Sequence, residues 1–497
     1  MELFGEAIAM STAVGLLLAL ALALGFEVVN GFHDTANAVA TVIYTNSLKP
    51  TTAVVWSGVW NLIGVLLSSG AVAFSIVSLL PVELVLNIGS TQGMAMVFSL
   101  LMSAILWNVG TWYMGIPASS SHTLIGSILG VGLAHSMMSA EVFGEGVNWG
   151  KAQEILLSLL FSPMVGFGLA ALLLTLCKVL IKNPALYQAP EGKAPPLWIR
   201  SILIFTCTGV SFAHGSNDGQ KGMGLVMLIL IGVLPASFAL NEGTTAQDMT
   251  ALLLQSNAMV EALEKHEPAA KEIRMSVEES TLELSNFLKP NVSATTRTLP
   301  ALLTVTRDIQ ERLQNRRQLS DVPRAERPGI RSDFYLSDEA LGKLEKQGRL
   351  DGPATVALVK RYRSELSKST RFIPAWVKIA VALALGLGTM VGWKRVVVTV
   401  GEKIGKDHLT YAQGASAELV AMTTIATADV MGLPVSTTHV LTSGVAGTMA
   451  ANGSGVQMKT VRTMLTAWVL TLPVTVFMGA LFFGAGLYAI SQFNPLK

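Results

Sequence analysis

The sequence predicts an all-α polytopic membrane protein: an inverted repeat of about five plus five membrane elements, with broken helices and re-entrant hairpins, plus one soluble helical insertion. Three observations predict it. Of 497 residues 51% are hydrophobic and 14% charged, with a mean hydropathy of +0.52, the bias of a chain solvated mostly by lipid. The charges are concentrated: residues 241–371 hold 20 of the 35 Lys and Arg and 19 of the 33 Asp and Glu, leaving 29 for the other 366 residues. Finally, one pair of polar motifs occurs twice.

The first pair is Gly31-Phe32-His33-Asp34-Thr35-Ala36-Asn37 and Gly115-Ile116-Pro117-Ala118-Ser119-Ser120-Ser121-His122. The second is Gly215-Ser216-Asn217-Asp218-Gly219-Gln220-Lys221 and Gly432-Leu433-Pro434-Val435-Ser436-Thr437-Thr438-His439. Ionisable residues and hydroxyl clusters are costly inside apolar segments, so their recurrence points to one binding site built by two repeats, as in secondary transporters. Asp34 and Pro117 are 83 residues apart, Asp218 and Pro434 216; the excess of 133 nearly equals the 131 residues of 241–371, which are therefore an insertion.

Apolar stretches of spanning length begin near Ile8, Ala53, Met94, Pro117 and Ile155, and again near Trp198, Pro374, Tyr411, Pro434 and Val461. An odd number per half inserts the second half upside down. The domain organisation follows: 1–182 is the first membrane repeat, 183–240 the start of the second, 241–371 the insertion and 372–497 the remainder of the second repeat. Residues 8–45 and 198–240 exceed the roughly 20 residues of one span and carry their motifs centrally, so each is expected to be a broken helix. Only Gly-Ile-Pro separates 94–113 from 117–135, and a re-entrant hairpin there brings the Ser cluster to the midplane. The insertion is expected to be mostly helical, for example over Leu252–Leu263 and Pro353–Leu366, with turns at Pro323 and Pro328.

Short loops give the orientation. Lys49, Lys178, Lys182, Lys193, Arg200 and the basic residues from Lys394 to Arg462 share one side, which is cytoplasmic by the positive-inside rule. Both termini and the insertion then face outward, which in the bacterial cell implied by the family resemblance described below would be the periplasm. Glu2 and Glu6 stand where a signal peptide carries basic residues, so no removable leader is expected. A net charge of +2 without basic runs excludes a nucleic-acid partner. Cys177 and Cys207 lack metal-ligand spacing and read as reduced packing residues. Without a Walker A string, ATP-driven pumping is disfavoured. A hydrolase would need one asymmetric nucleophile site, whereas duplicated corners favour transport, and a passive channel would ignore any driving gradient.

Glu27, Asn30, Asp34, Asn37 and Thr41 fall at helical spacing and form one polar stripe; Ser211, His214, Asn217 or Asp218, and Lys221 form its counterpart. Carboxylate and amide oxygens suit a proton or cation, and the Lys221 ammonium suits an anion or an ion pair. Each Pro followed by hydroxyl residues at a helix start offers free N–H groups and a positive dipole end, which suits phosphate or sulfate. The substrate-binding candidates are Ser119, Ser120, Ser121, Thr123, Ser436, Thr437, Thr438, Asn37, Asn217 and Lys221. The ion-coupling candidates are Asp34, Asp218, Glu27, His33, Glu418, His122 and His439. A lone Ser or Thr in a membrane helix usually bonds back to its own turn, but three after a Pro, twice, do not fit that reading. His122, His439 and Glu418 fit structural roles equally well. No resident metal or cofactor is expected, and no enzymatic activity.

The strings Asn30-Gly31-Phe32-His33-Asp34-Thr35-Ala36-Asn37-Ala38 and His214-Gly215-Ser216-Asn217-Asp218-Gly219-Gln220-Lys221-Gly222, with the two Pro-Ser/Thr-His corners, resemble the PiT inorganic phosphate transporter family, and its proteobacterial low-affinity members in particular. The resemblance runs through both membrane halves. It implies phosphate symport through a site made by the two Asp motifs and two hydroxyl corners, in the bacterial inner membrane and as a homodimer. It implies protons rather than sodium as the driving ion, and a neutral complex of phosphate with Mg2+, Ca2+ or Zn2+ as a transported form. His33 replaces the Asn that many members carry, and Asn61 stands where animal members have Glu. Glu418 matches a functional Glu near the second hairpin. Sodium-coupled phosphate or sulfate symport is the alternative.

Overall fold

The computed structural model describes residues 2–79, 89–138, 147–190, 192, 194–289 and 292–493; Lys193, counted above for orientation, lies outside them. A minimal strand pair, β1 (Glu2–Leu3) and β2 (Glu6–Ala7), precedes α1 (Met10–Asp34), α2 (Ala36–Tyr44), α3 (Pro50–Leu67), α4 (Ala71–Val77), α5 (Thr91–Tyr113), α6 (Ser120–Met138) and α7 (Trp149–Leu180). The second half opens with α8 (Leu197–Val233) and the single turn α9 (Pro235–Phe238). The insertion supplies α10 (Ala246–His266), α11 (Val277–Leu288), α12 (Thr298–Leu313), α13 (Arg327–Lys346) and α14 (Pro353–Thr370). The membrane part then resumes with α15 (Ala375–Met390), α16 (Lys394–Glu402), α17 (Tyr411–Val430), α18 (Thr437–Asn452) and α19 (Met458–Phe493).

The chain forms two compact units. One comprises Met1–Leu16, Pro81–Gly93 and Met227–Ile373, the other Leu17–Leu80, Met94–Val226 and Pro374–Lys497. In the first, α10 to α14 bury an apolar core that includes Leu252, Met259, Phe287, Ile309, Phe334 and Tyr362. Capping boxes, Thr245 with Asp248 and Ser276 with Glu279, start α10 and α11. Pro328, expected in a turn, lies instead in the first turn of α13, where its missing N–H costs no hydrogen bond. Arg327 and Arg331 clamp the chain leading in: Arg327 donates to the Ala236 carbonyl, and Arg331 to the carbonyls of Ala239 and Thr370.

In the second unit the two repeats exchange elements. Helix α6 of the first half packs on α19 of the second, α18 of the second half packs on α7 of the first, and α3 packs on α15. Small residues permit these approaches. A Cβ at Gly130 would strike the Val476 backbone, one at Gly447 the Phe167 backbone, and one at Gly58 the Gly386 carbonyl. Six helical segments among the described residues are long and apolar enough to cross a membrane: Met10–Tyr44, Pro50–Leu67, Thr91–Tyr113, Trp149–Leu180, Leu197–Val233 and Met458–Gln492. Helices α6 and α18 are buried along nearly their whole length, so protein rather than lipid surrounds them.

The two long motif helices differ from each other. The first is interrupted at Thr35, which keeps helical dihedrals (φ −51°, ψ −36°) while its hydroxyl donates to the carbonyls of Gly31 and Thr389. The second shows no break at its motif: α8 runs unbroken through Gly215 and Asp218. Its glycines serve close packing, since a Cβ at Gly215 would meet the Asn61 backbone and one at Gly224 the Ala73 backbone.

Both hairpin corners are Schellman turns. Gly115 and Gly432 each adopt φ +67°. Their N–H groups donate to the carbonyls of Trp112 and Asp429, and those of Ile116 and Leu433 reach back to Thr111 and Ala428, all at 2.9 to 3.0 Å. Pro117 and Pro434 follow and stop the helix from continuing.

Candidate functional site

Each corner delivers three hydroxyls onto a helix start. Ser119 and Ser436 cap their helices, accepting from the N–H groups of His122 and His439 at 3.2 and 3.1 Å. The two residues after each cap point at the motif helices. Thr438 donates to Asp34 Oδ1 at 2.7 Å. Ser120 donates to Asp34 Oδ2 at 3.0 Å and lies 3.4 Å from Asp218 Oδ2. A hydroxyl of the first repeat thus bridges the acids of both.

Amine and amide donors reach the same hydroxyls crosswise. Asn37, on the first motif helix, donates to Thr437 and Thr438 of the second corner at 3.2 and 3.1 Å. Lys221, on the second motif helix, donates to Ser121 of the first corner at 2.6 Å and pairs with Asp218 at 2.7 Å. Asn217 donates to the Leu433 carbonyl at 3.2 Å, holding the second corner on the second motif helix, and Ser121 donates to the Val435 carbonyl at 2.7 Å, tying the corners to each other.

Two imidazoles complete the cluster. His33 Nδ1 lies 3.0 Å from Asp34 Oδ1 and its Nε2 lies 3.1 Å from the Thr111 hydroxyl. His214 Nε2 sits between the acids, 3.6 Å from Asp218 and 3.8 Å from Asp34, while its Nδ1 meets Asn61 Oδ1 at 3.1 Å. Asp34, His214 and Asp218 bring one donor atom each within 4.8 Å of one another, close enough to hold a small cation between them. None of His33, Asp34, His214, Asp218 and Lys221 is more than 2% exposed. Such a concentration of buried ionisable groups is a functional signature in a membrane protein.

The remaining candidates lie elsewhere in the network. The Thr123 hydroxyl donates back to the Ser119 carbonyl at 2.8 Å, the ordinary role of a helical Thr. His122 Nδ1 meets the Ser119 hydroxyl at 2.9 Å, its ring packs 4.7 Å from that of His439, and His439 stacks on Trp468 at 4.0 Å. Glu27 is fully buried against Gly222, with no hydrogen bond to its carboxylate oxygens among the described residues. Glu418, also fully buried, accepts from the hydroxyls of Thr41 and Thr206, so its carboxylate is satisfied without the acid pair.

Sequence reasoning left out several partners. His214 appeared only as a member of a polar stripe, although its i, i+4 spacing from Asp218 could have marked it. Asp429, a second acid on the helix that carries Glu418, accepts from Ser216 at 2.7 Å and Gln220 at 2.5 Å and so ties the second hairpin to the second motif helix. Asn61, singled out in the sequence only through the family resemblance, donates to Thr389 at 2.9 Å while orienting His214.

A buried polar site assembled from two repeats of a helical membrane chain defines a transporter of the polytopic class. The chain belongs to the phosphate transporter family, whose model matches residues 30–479. It is 42% identical to the low-affinity inorganic phosphate transporter PitA of Escherichia coli, over 97% of both chains. It is 38% identical to a low-affinity inorganic phosphate transporter of Buchnera aphidicola, over 95% of this chain and 96% of that one. Its fold matches a solved structure described as the sodium-dependent phosphate transporter with a TM-score of 0.52 and 20% identity, covering 95% of this chain and 98% of that one. Relatives of this kind are transporters rather than enzymes.

Proposed function

We propose that this protein imports inorganic phosphate at low affinity, free or as a neutral divalent metal complex, by proton symport. The observation that carries the reading is the Asp34–Ser120–Asp218 bridge, which joins the duplicated motifs at one point. Ser120, Ser121, Thr437 and Thr438 hold the anion, with Asn37, Asn217 and Lys221 fixing their orientation. In the arrangement described above, Ser120 and Thr438 spend their O–H groups on Asp34. A proton on Asp34 weakens it as an acceptor and frees both hydroxyls to turn to phosphate, so proton and anion bind together. The cation-sized gap among Asp34, His214 and Asp218 gives the metal of a metal phosphate complex, as cargo, a place beside the anion. The exchanged packing of α6 on α19 and α18 on α7 lets one hairpin pair rock against the other around the site.

Radiolabelled phosphate uptake into proteoliposomes under an imposed proton gradient tests this. Concentrative uptake without sodium, abolished in Asp34→Asn, is expected. Uptake only with sodium would replace the proton by sodium, and uptake of sulfate but not phosphate would overturn the substrate.

A further inference from the structure

The two halves of the site share one crosswise contact but are unequal in charge. Asn37 follows Asp34 by three residues, as Lys221 follows Asp218. Each reaches across to the fourth residue after the corner Pro of the opposite repeat: Asn37 to Thr438 at 3.1 Å, Lys221 to Ser121 at 2.6 Å. One repeat therefore places a neutral amide, and the other an ammonium, at matching positions.

The consequences for the two acids differ. Asp218 has a full positive charge 2.7 Å from Oδ1, and both partners are completely buried, so no ion from solution is needed to neutralise it. Asp34 has hydroxyls and imidazoles for neighbours, and its equivalent of Lys221 is uncharged. A buried carboxylate without a fixed counter-charge draws a mobile one, because leaving it unpaired in a low-dielectric interior is costly.

We propose that Lys221 is a tethered counter-cation that fills one of two pseudo-equivalent cation positions, so that Asp34 alone carries the mobile ion. This rests on the reading that the two acids form the coupling site. Lys221 is then a specificity-determining residue: it stays behind when the cargo leaves, and it excludes a small monovalent cation such as sodium from Asp218.

The test compares the full-length protein with Lys221→Asn, which copies the first repeat, and with the double variant D218N/K221N. Melting temperatures of purified protein in sodium, potassium and choline chloride at equal ionic strength report cation binding whether or not transport is intact. The wild type is expected to be indifferent to the cation. K221N should show a saturable rise of a few degrees in sodium alone, and its phosphate uptake should become sodium-stimulated. The double variant should lose that response, since the acid that needs neutralising is gone. Folded K221N without any cation-selective shift overturns the proposal, and so does an undiminished shift in D218N/K221N, which would put the cation elsewhere. If K221N yields no folded protein, the double variant decides: folded, it supports a counter-charge role; unfolded, it shows that Lys221 is needed for another reason. Failure of phosphate uptake in the wild type would instead count against the proposed function, while leaving the melting comparison interpretable.

Discussion

Exchanging one hydroxyl for a methyl group separates the two kinds of hydroxyl in this site. Thr438→Val keeps the shape but removes the donor to Asp34 and the acceptor for Asn37. A hydrogen bond to a charged group contributes about 1.5–3 kcal/mol, so phosphate uptake should fall about ten- to a hundredfold. Thr123→Val, which removes only a bond to its own helix, should stay near wild type in the same initial-rate assay. Equal losses in both variants would mean that the hydroxyls matter for helix stability and not for the site. The contrast also shows what a sequence discloses at this scale. Asp34, Asp218 and the Ser/Thr triplets were legible because polar residues in apolar surroundings must have a reason, and because they recur. Thr123 was indistinguishable from the hydroxyls of the corner one turn before it, since it shares their chemistry and only its own-helix bond to Ser119 sets it apart. Glu418 stood out as an acid in a span, yet Thr41 and Thr206, which satisfy it, come from other helices, and periodicity names a face without naming what it meets.

At the scale of elements, the corners were legible and the continuity of α8 was not. Gly-x-Pro marks a chain reversal through two independent restrictions, the left-handed glycine and the residue before proline. Glycine within a helix gives two opposite signals, a break or a close approach, and Gly215 turns out to be the second because the Asn61 backbone lies against it. The insertion shows a different element-level effect. Asp333, on α13, is only 4% exposed, and burial pushes its carboxyl up to about 7, against the opposing pull of the Arg312 guanidinium 3.7 Å away. The unfolded chain holds that proton only below about 4. Between about pH 4 and pH 7 the folded insertion therefore binds the extra proton, and this group's contribution to stability declines as pH rises through that window, then levels off. Amide hydrogen exchange across α12 and α13 should be more protected at pH 5.5 than at pH 8, after correction for intrinsic rates. Asp333→Asn should flatten the difference; an unchanged pH slope in that variant would assign the effect to another group.

The whole molecule is constrained by the exchange between its repeats. Had each half packed on itself, duplication would have yielded two self-sufficient bundles meeting at a surface. Instead α6 finds its main partner in α19, α18 finds its partner in α7, and the buried faces of α6 and α18 are covered by the other half. Sequence spacing revealed the repeat but not this exchange, because matched motifs at matched offsets fit either arrangement. The exchange makes a definite prediction for a chain cut after residue 182. A fragment of 1–182 alone exposes the faces of α6 and α7 that α19 and α18 cover, glycines included, and holds only Asp34 and the first corner of the site. It should be degraded or aggregated, as should 183–497 expressed alone. Coexpressed, the fragments should copurify through a tag on either one and restore phosphate uptake, since the bonds from Asn37 to Thr438 and from Lys221 to Ser121 all run between them. A stable, monodisperse 1–182 fragment that neither binds its counterpart nor needs it would refute the exchanged packing. Two fragments that associate without restoring uptake would preserve the packing but show that the site tolerates no break in the chain between α7 and α8.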